Sequence, residues 1–210
     1  SGCNLDGTNG CFNVFLGDCA GKAVTSGDNN VFLGKCAGKA VASGTDNVFL
    51  GRFTGADAIG SKNVFIGMYA GQLTELGAQN TFIGGCKTGY CITSSCCTIA
   101  IGPFAGHGAP GTGNDNVFIG RETARCFTSG VSNIAIGPAA GKCIGSGTYN
   151  IFFGRCAAAA TTVTGGCNIS MGLCAGYGFT SGADNVFLGT NAGKSNTSGA
   201  NNTFIGNCAG

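Results

Sequence analysis

Apolar and polar positions follow one short unit that returns twelve times along this chain, as in Asn47-Val48-Phe49-Leu50-Gly51. With the closing glycine of each unit taken as position 0, the first anchor is Gly17, the last is Gly206, and successive anchors lie 16 to 18 residues apart. Position −3 is Val, Ile or Thr in every unit, position −2 is usually Phe, and position −1 is Leu, Ile, Met or Phe. Because β-branched and aromatic residues favour strands, the pattern predicts one short strand in each unit.

The period is too short for a pair of helices and fits one coil of a β-solenoid, with a strand, a turn, a second short strand and a return turn. Clusters such as Ser26-Gly27-Asp28-Asn29 supply the residue types of the return turn. The predicted fold class is therefore all-β, a parallel β-solenoid (β-roll) of about twelve coils of 16–18 residues. We expect residues 1–210 to form a single repeat domain that is a segment of a longer chain or assembly.

Asparagine occupies position −4 in eleven of the twelve units, and Thr98 is the exception. Equivalent residues of neighbouring coils stack at about 4.8 Å, so their side-chain amides can hydrogen-bond along the stack. We therefore predict an asparagine ladder that stabilises the turns, and regard ligand or calcium binding as the weaker alternative. The predicted ladder consists of Asn13, Asn30, Asn47, Asn63, Asn80, Asn116, Asn133, Asn150, Asn168, Asn185 and Asn202.

Side chains alternate between the two faces of a strand, so Val and Leu of the Val-Phe-Leu stretch share one face and Phe takes the other. Both faces are apolar in most units, and an apolar column therefore points outward unless the rest of the coil curls over both faces. A half-exposed phenylalanine column would approach roughly 1,000 Å², against about 300–600 Å² for the largest patch on a typical monomer. We expect another copy of the chain to cover the outward column. The candidate self-association residues are Phe15, Phe32, Phe49, Phe65, Phe82, Phe118, Phe152, Phe187 and Phe204.

Fourteen cysteines are many for 210 residues, and such density is typical of an oxidising compartment. Several share a column of the repeat, and a Cα spacing of about 4.8 Å between coils lies within the range of roughly 4.4–6.8 Å that a disulfide accepts. We therefore expect coil-to-coil bridges, with buried free thiols as the alternative. The candidate disulfides join Cys19 to Cys36, Cys126 to Cys143, and Cys156 to Cys174.

Composition and charge narrow the classes of function. The net charge is +2 and only 10% of the residues are charged, so the chain lacks the basic stripe that nucleic-acid binding requires. No apolar run approaches the roughly 20 residues of a membrane-spanning helix. The single histidine, His107, lies in a glycine-rich loop without the partners of a catalytic triad, and the cysteines between positions 86 and 97 lack the spacing of a zinc site. We expect no catalytic residue, metal, cofactor, nucleic-acid partner or membrane span.

Two units, Thr98-Ile99-Ala100-Ile101-Gly102 and Asn133-Ile134-Ala135-Ile136-Gly137, resemble the repeat in head domains of YadA-type trimeric autotransporter adhesins. The wider pattern, over essentially all of the chain, is similar to β-solenoid repeats of tail-fibre-like proteins of bacteria and phages. The resemblance implies a parallel β-roll, often left-handed, assembled as a trimer with a surface or fibre role. The chain departs from the adhesin heads in its longer unit, its cysteines and its usual Phe at position −2, so a lateral or end-to-end fibre stands beside the closed trimer.

Three functions follow as expectations. The first is a structural, non-catalytic building block of an extracellular self-associating fibre or filament, with the chain itself as the partner. The second is an adhesin head or tail-fibre shaft that binds a surface receptor or glycan. The third is an ice-binding solenoid, which is disfavoured because Thr and Ser lie mainly at turns rather than in a strand column. The expected location is extracellular or at the cell surface.

Overall fold

The computed structural model describes residues 10–108 and 111–210, and within these ranges the chain forms one sheet of twelve parallel strands and no helix. The strand order in the sheet is the order in the sequence. The coils lie about 17 residues apart and make about 11 turns, which confirms the predicted all-β parallel solenoid. The strands are β1 (Val14–Leu16), β2 (Val31–Leu33), β3 (Val48–Leu50), β4 (Val64–Ile66), β5 (Thr81–Ile83), β6 (Ile99–Ile101), β7 (Val117–Ile119), β8 (Ile134–Ile136), β9 (Ile151–Phe153), β10 (Ile169–Met171), β11 (Val186–Leu188) and β12 (Thr203–Ile205).

Hydrogen bonds between coils continue beyond the strands. Equivalent residues pair in register, so Phe32 of β2 lies beside Phe49 of β3. In the turn that follows β2, the Cys36 N–H donates to the Asp18 carbonyl of the preceding coil at 2.8 Å. The Gly38 N–H donates in the other direction, to a carbonyl of the following coil at 3.0 Å. Each coil is therefore bonded to both neighbours around most of its circumference.

The predicted second short strand is wrong for the described residues, because the rest of each coil is built mainly from turns. The Gly34 carbonyl accepts the Ala37 N–H at 3.2 Å, and the next turn closes in the same way. In the described ranges, the one strand-like pairing outside the sheet is a bridge between Ile144 and Val163. Positions +2 and −5 take a positive φ in every described unit, 56° at Cys36 and 59° at Asp46. Such left-handed residues interrupt an extended run, so a second strand has no room to form.

The phenylalanine column at −2 fills the coil interior, where successive rings of β2 to β5 stack with centroids 4.8–4.9 Å apart. The assignment of this column to self-association is therefore wrong. Phe32, Phe49, Phe65, Phe82, Phe118, Phe152 and Phe187 are fully buried, and the end members Phe15 and Phe204 are partly buried against the same core. The backbone of the opposite wall approaches these rings so closely that a Cβ added to Gly38 would lie 2.5 Å from the Phe32 ring. Only glycine fits there.

Three strands carry Ala100, Ala135 or Ser170 in place of the core phenylalanine, and larger side chains from the opposite wall fill the core around them. Ile92, which precedes β6, is fully buried. Phe127 packs edge-on against Phe118 with centroids 5.1 Å apart, and Phe179 meets Phe187 at 6.3 Å. The residue that supplies the core volume therefore changes from one coil to the next.

The asparagine column forms a buried hydrogen-bond ladder. The backbone N–H and Nδ2 of Asn47 donate to Asn30 Oδ1 at 3.0 and 3.1 Å, and Nδ2 also donates to the Gly60 carbonyl at 3.0 Å. The pattern repeats along the stack, so the interior amides find their partners within the protein. Thr98 divides the ladder into two runs, because its backbone N–H reaches Asn80 but its side chain carries no amide.

Candidate interaction surface

The side chains at −3 and −1 stand on the outer side of the sheet, opposite the phenylalanine core. Over the twelve described strands they form two parallel columns of twelve side chains each, 24 in all, which we term the sheet face. Within these strands, Thr81 and Thr203 are the only polar members of the face. Exposure is partial at most central positions, such as Leu50, and rises to 71% at Leu16 and 67% at Ile205. The expected outward apolar column is present, but Val and Leu carry it instead of Phe.

The sheet face is long and narrow. Eleven steps of about 4.8 Å between strands give a length of about 53 Å, and three residues at about 3.3 Å each give a width of about 10 Å. The flat outline is about 500 Å², before side-chain relief is added. That area lies near the upper end of the roughly 300–600 Å² of the largest patch on a typical monomer. It also approaches the roughly 800 Å² that each partner contributes to a standard protein interface.

Charged residues line both long edges of the sheet face. In the described units, the edge after the strands, at position +1, has four cations and one anion, a formal charge of +3; we term it the basic edge. The edge before the strands, at −6 and −5, has four anions and one cation, a formal charge of −3; we term it the acidic edge. The basic edge comprises Lys35, Arg52, Arg121 and Arg155 with Asp18, and the acidic edge comprises Asp28, Asp46, Asp115 and Asp184 with Lys62.

Most of the edge charges lack an ionic partner within the described chain. There the ion pairs are Lys35–Asp18 at 3.7 Å, Arg125–Glu122 at 3.6 Å and Lys142–Glu122 at 4.0 Å. The Arg52 guanidinium lies 5.1 Å from the Phe53 ring centroid, and Asp28 Oδ1 accepts the Cys11 N–H. The edge charges, all exposed except the part-buried Asp28, can therefore pair with a partner molecule.

The twelve cysteines from Cys19 to Cys208 are free thiols, and Cys3 lies outside the described residues. The bridges predicted for Cys19 with Cys36, Cys126 with Cys143, and Cys156 with Cys174 are not formed. In an in-register stack the Cβ atoms repeat at the coil spacing of about 4.8 Å, whereas a disulfide brings them to roughly 3.5–4.5 Å. Burial, followed by a hydrogen bond with Cys126, raises the pKa of the Cys143 thiol to about 11.

His107 lies in a small cluster of aromatic and cationic side chains. Its ring stacks on Tyr90 with centroids 5.3 Å apart and meets Phe104 edge-on at 5.8 Å. Lys87 Nζ is 4.6 Å from the Tyr90 ring centroid, and the Arg125 guanidinium is 5.5 Å from that of Phe104. Burial chiefly lowers the pKa of His107, and the charges of Lys87 and Arg125 lower it further. These contacts assign His107 a packing role.

In the described ranges, no group of three or more His, Cys, Asp or Glu side chains is arranged to hold a metal ion. No helix in that part of the chain is long and apolar enough to cross a membrane. No family model, no curated protein and no solved structure matches the chain. The candidate site therefore rests on geometry: an apolar sheet face between a basic and an acidic edge.

Sequence reasoning missed which side of the strand is outward and therefore missed the true members of the sheet face. A signal was present in the units that lack the core phenylalanine. Where position −2 is Ala or Ser, bulky residues such as Ile92 and Phe179 occur in the opposite wall. Such size compensation indicates shared core volume, and it would have placed −2 inside.

Proposed function

We propose that the protein is a structural, non-catalytic building block of an extracellular fibre or filament that assembles by self-association. The observation that carries the proposal is the sheet face, with 22 apolar side chains among its 24 (all but Thr81 and Thr203). Removing such a surface from water is favourable in proportion to its area. A partner must be equally long and flat to cover it, and a second copy of the same solenoid meets that requirement.

The geometry of the coil favours repeated lateral contact. Each coil adds one side chain to each of the two columns, and equivalent side chains repeat at a constant step along the stack. The pair formed by Val48 and Leu50, for example, recurs as Val186 and Leu188. A covering copy can therefore make the same contact at every coil. The resemblance of the chain's units to surface and fibre repeats supports an extracellular or cell-surface location.

The second candidate is an adhesin head or tail-fibre shaft that binds a surface receptor or glycan. The Ile-Ala-Ile units at Ile99–Ile101 and Ile134–Ile136 favour it through their resemblance to adhesin heads. The partly exposed rings of Tyr90 and Phe104, with Lys87 and Arg125 beside them, offer a surface on which such a ligand could bind. In this case the sheet face packs copies together and recognition occurs elsewhere.

The first experiment measures the mass of the native particle by light scattering at micromolar concentration, with electron microscopy on the same sample. Filaments of uniform width are the expected result, whereas a discrete dimer would support the sheet-face contact and contradict the filament. A discrete trimer would favour the adhesin-like candidate. A monomer at full length would overturn self-association altogether.

A pair of variants then tests the surface itself. Leu50→Glu combined with Ile66→Glu places two charges on neighbouring coils of the sheet face and should dissolve the assembly. Ile59→Glu combined with Leu76→Glu is the matched control, because Ile59 and Leu76 are 43% and 68% exposed on neighbouring coils outside the face. Thermal unfolding of both variants checks that the coil is intact. Equal loss of assembly in both would argue against the sheet face as the contact.

A further inference from the structure

We infer that two copies pack sheet face to sheet face with their solenoid axes parallel and their strands antiparallel, so that each coil faces the same coil of its partner. The inference rests on the proposed self-association and adds its orientation and register. It draws on the distribution of charge along the two edges and on the sizes of the residues in the two columns.

Two face-to-face arrangements bring the sheets together by a two-fold rotation. If the rotation axis runs along the strands, the solenoid axes become antiparallel, and each basic edge faces the partner's basic edge. If it runs along the solenoid, the strands become antiparallel, and each basic edge of charge +3 faces an acidic edge of charge −3. Opposition of like charges is unfavourable and complementary charges guide association, so the second arrangement is selected.

The register follows from the positions of the charges along the stack. When each coil faces its own equivalent, the coil of β2 sets Lys35 against Asp28, that of β3 sets Arg52 against Asp46, and that of β7 sets Arg121 against Asp115. The two-fold axis doubles these three pairs to six. No coil in the described units then sets like charges against each other.

A shift by one coil removes this match. Asp18 would then face Asp28, and Arg52 would face Lys62, which are repulsive contacts. Only two attractive pairs remain, Lys35 with Asp46 and Arg52 with Asp28. The unshifted arrangement has six attractive contacts and none that repel, so the charges specify one register.

The sizes of the apolar side chains agree with this arrangement. Antiparallel strands set the −3 column of one copy against the −1 column of the other. The −3 column holds the smaller residues, as at Val31 and Val48, and the −1 column the larger, as at Phe153 and Met171. Small residues facing large ones keep the gap between the sheets even, close to the spacing of about 10 Å for packed sheets. The arrangement with antiparallel solenoid axes would set small residues against small residues and large residues against large ones.

A charge swap tests the inference. The first variant, Arg52→Glu with Arg121→Glu, and the second, Asp46→Arg with Asp115→Arg, should each weaken association at least about tenfold, because four facing pairs become repulsive. An equimolar mixture of the two should recover association, since each basic residue again faces an acidic one. Lys22→Glu with Lys39→Glu is the control: it changes the net charge as the first variant does, at exposed positions away from the edges. Sedimentation velocity measures all four samples.

Zero-length carbodiimide cross-linking gives an independent readout. In a mixture of ¹⁴N- and ¹⁵N-labelled chains, mass spectrometry should find Lys35 joined to Asp28 of a differently labelled copy. The Lys35–Asp18 product within one chain, from groups 3.7 Å apart, is the internal positive control.

The outcomes separate this inference from the proposed function. The orientation and register are overturned, while self-association stands, under one set of results. The wild-type protein assembles, the charge-reversed variants associate as well as it does, mixing them restores nothing, and no Lys35–Asp28 product is found. A wild-type monomer overturns both. If the control variant at Lys22 and Lys39 weakens association to the same extent, the effect comes from net charge. That result would also overturn the edge pairing.

Discussion

Thr98 interrupts the asparagine ladder and thereby allows one rung to be measured. Asn80 Oδ1 receives only the Thr98 backbone N–H, whereas Asn30 Oδ1 receives two donors from Asn47. Thr98→Asn should join the two runs and raise the free energy of unfolding by about 1 kcal/mol, the net contribution of a typical hydrogen bond. Chemical denaturation measures the change. Thr98→Val, which keeps the shape but cannot form a rung, should give no such gain, and an equal gain would show that the ladder is not the cause.

Ser170 is a second residue whose surroundings predict the sign of a substitution. Its hydroxyl is fully buried in the phenylalanine column and has no hydrogen-bond partner. Ser170→Ala should raise the free energy of unfolding by about 1–2 kcal/mol, because an unsatisfied buried polar group is removed. Ser95→Ala is the matched control, since the buried Ser95 hydroxyl lies 3.5 Å from the Gly111 carbonyl. Thermal and chemical unfolding should show a gain in stability for Ser170→Ala and a loss for Ser95→Ala. A loss of stability in Ser170→Ala would contradict the assignment.

At the scale of the coil, parallel stacking governs the chemistry of the cysteines. We expect glutathione disulfide to form mixed disulfides at exposed thiols such as Cys167 and Cys208 and to leave Cys156 and Cys174 unbridged, because stacked Cβ atoms stay too far apart. Cys143 should react more slowly than Cys126 at pH 8, since its pKa of about 11 keeps the nucleophilic thiolate scarce. Non-reducing peptide mass spectrometry measures both, and a Cys126–Cys143 bridge as the main product would refute the expectation.

The strands could be predicted from the sequence, whereas the rest of the coil could not. Val48-Phe49-Leu50 between Asn47 and Gly51 predicts a strand because residue type, length and flanking residues agree. The inward direction of Phe49 was not determined, because both faces of that strand are apolar and alternation alone treats them equally. The missing second strand depends on non-glycine residues such as Phe53 and Tyr69 at positive φ, which composition does not indicate. The charged edges become visible only when the coils are aligned.

At the scale of the whole molecule, contacts join each coil only to its neighbours, so the chain should tolerate loss of a complete coil. Deleting residues 35–51 joins Gly34 to Arg52 and sets Asn30 beside Asn63 and Phe32 beside Phe65, which continues both columns. In such a nearest-neighbour stack, stability falls by about the contribution of one unit, so we expect a cooperative thermal transition at a modestly lower temperature.

Deleting residues 35–43 instead removes about half a coil and should abolish the transition, because polar turn residues would then meet core positions. Circular dichroism and calorimetry compare the two deletions. The full-coil deletion should also still self-associate, since both copies shorten by the same coil and every remaining coil again faces its equivalent. If it folds but no longer associates, the contact depends on a local patch instead of on the column that runs along the whole solenoid.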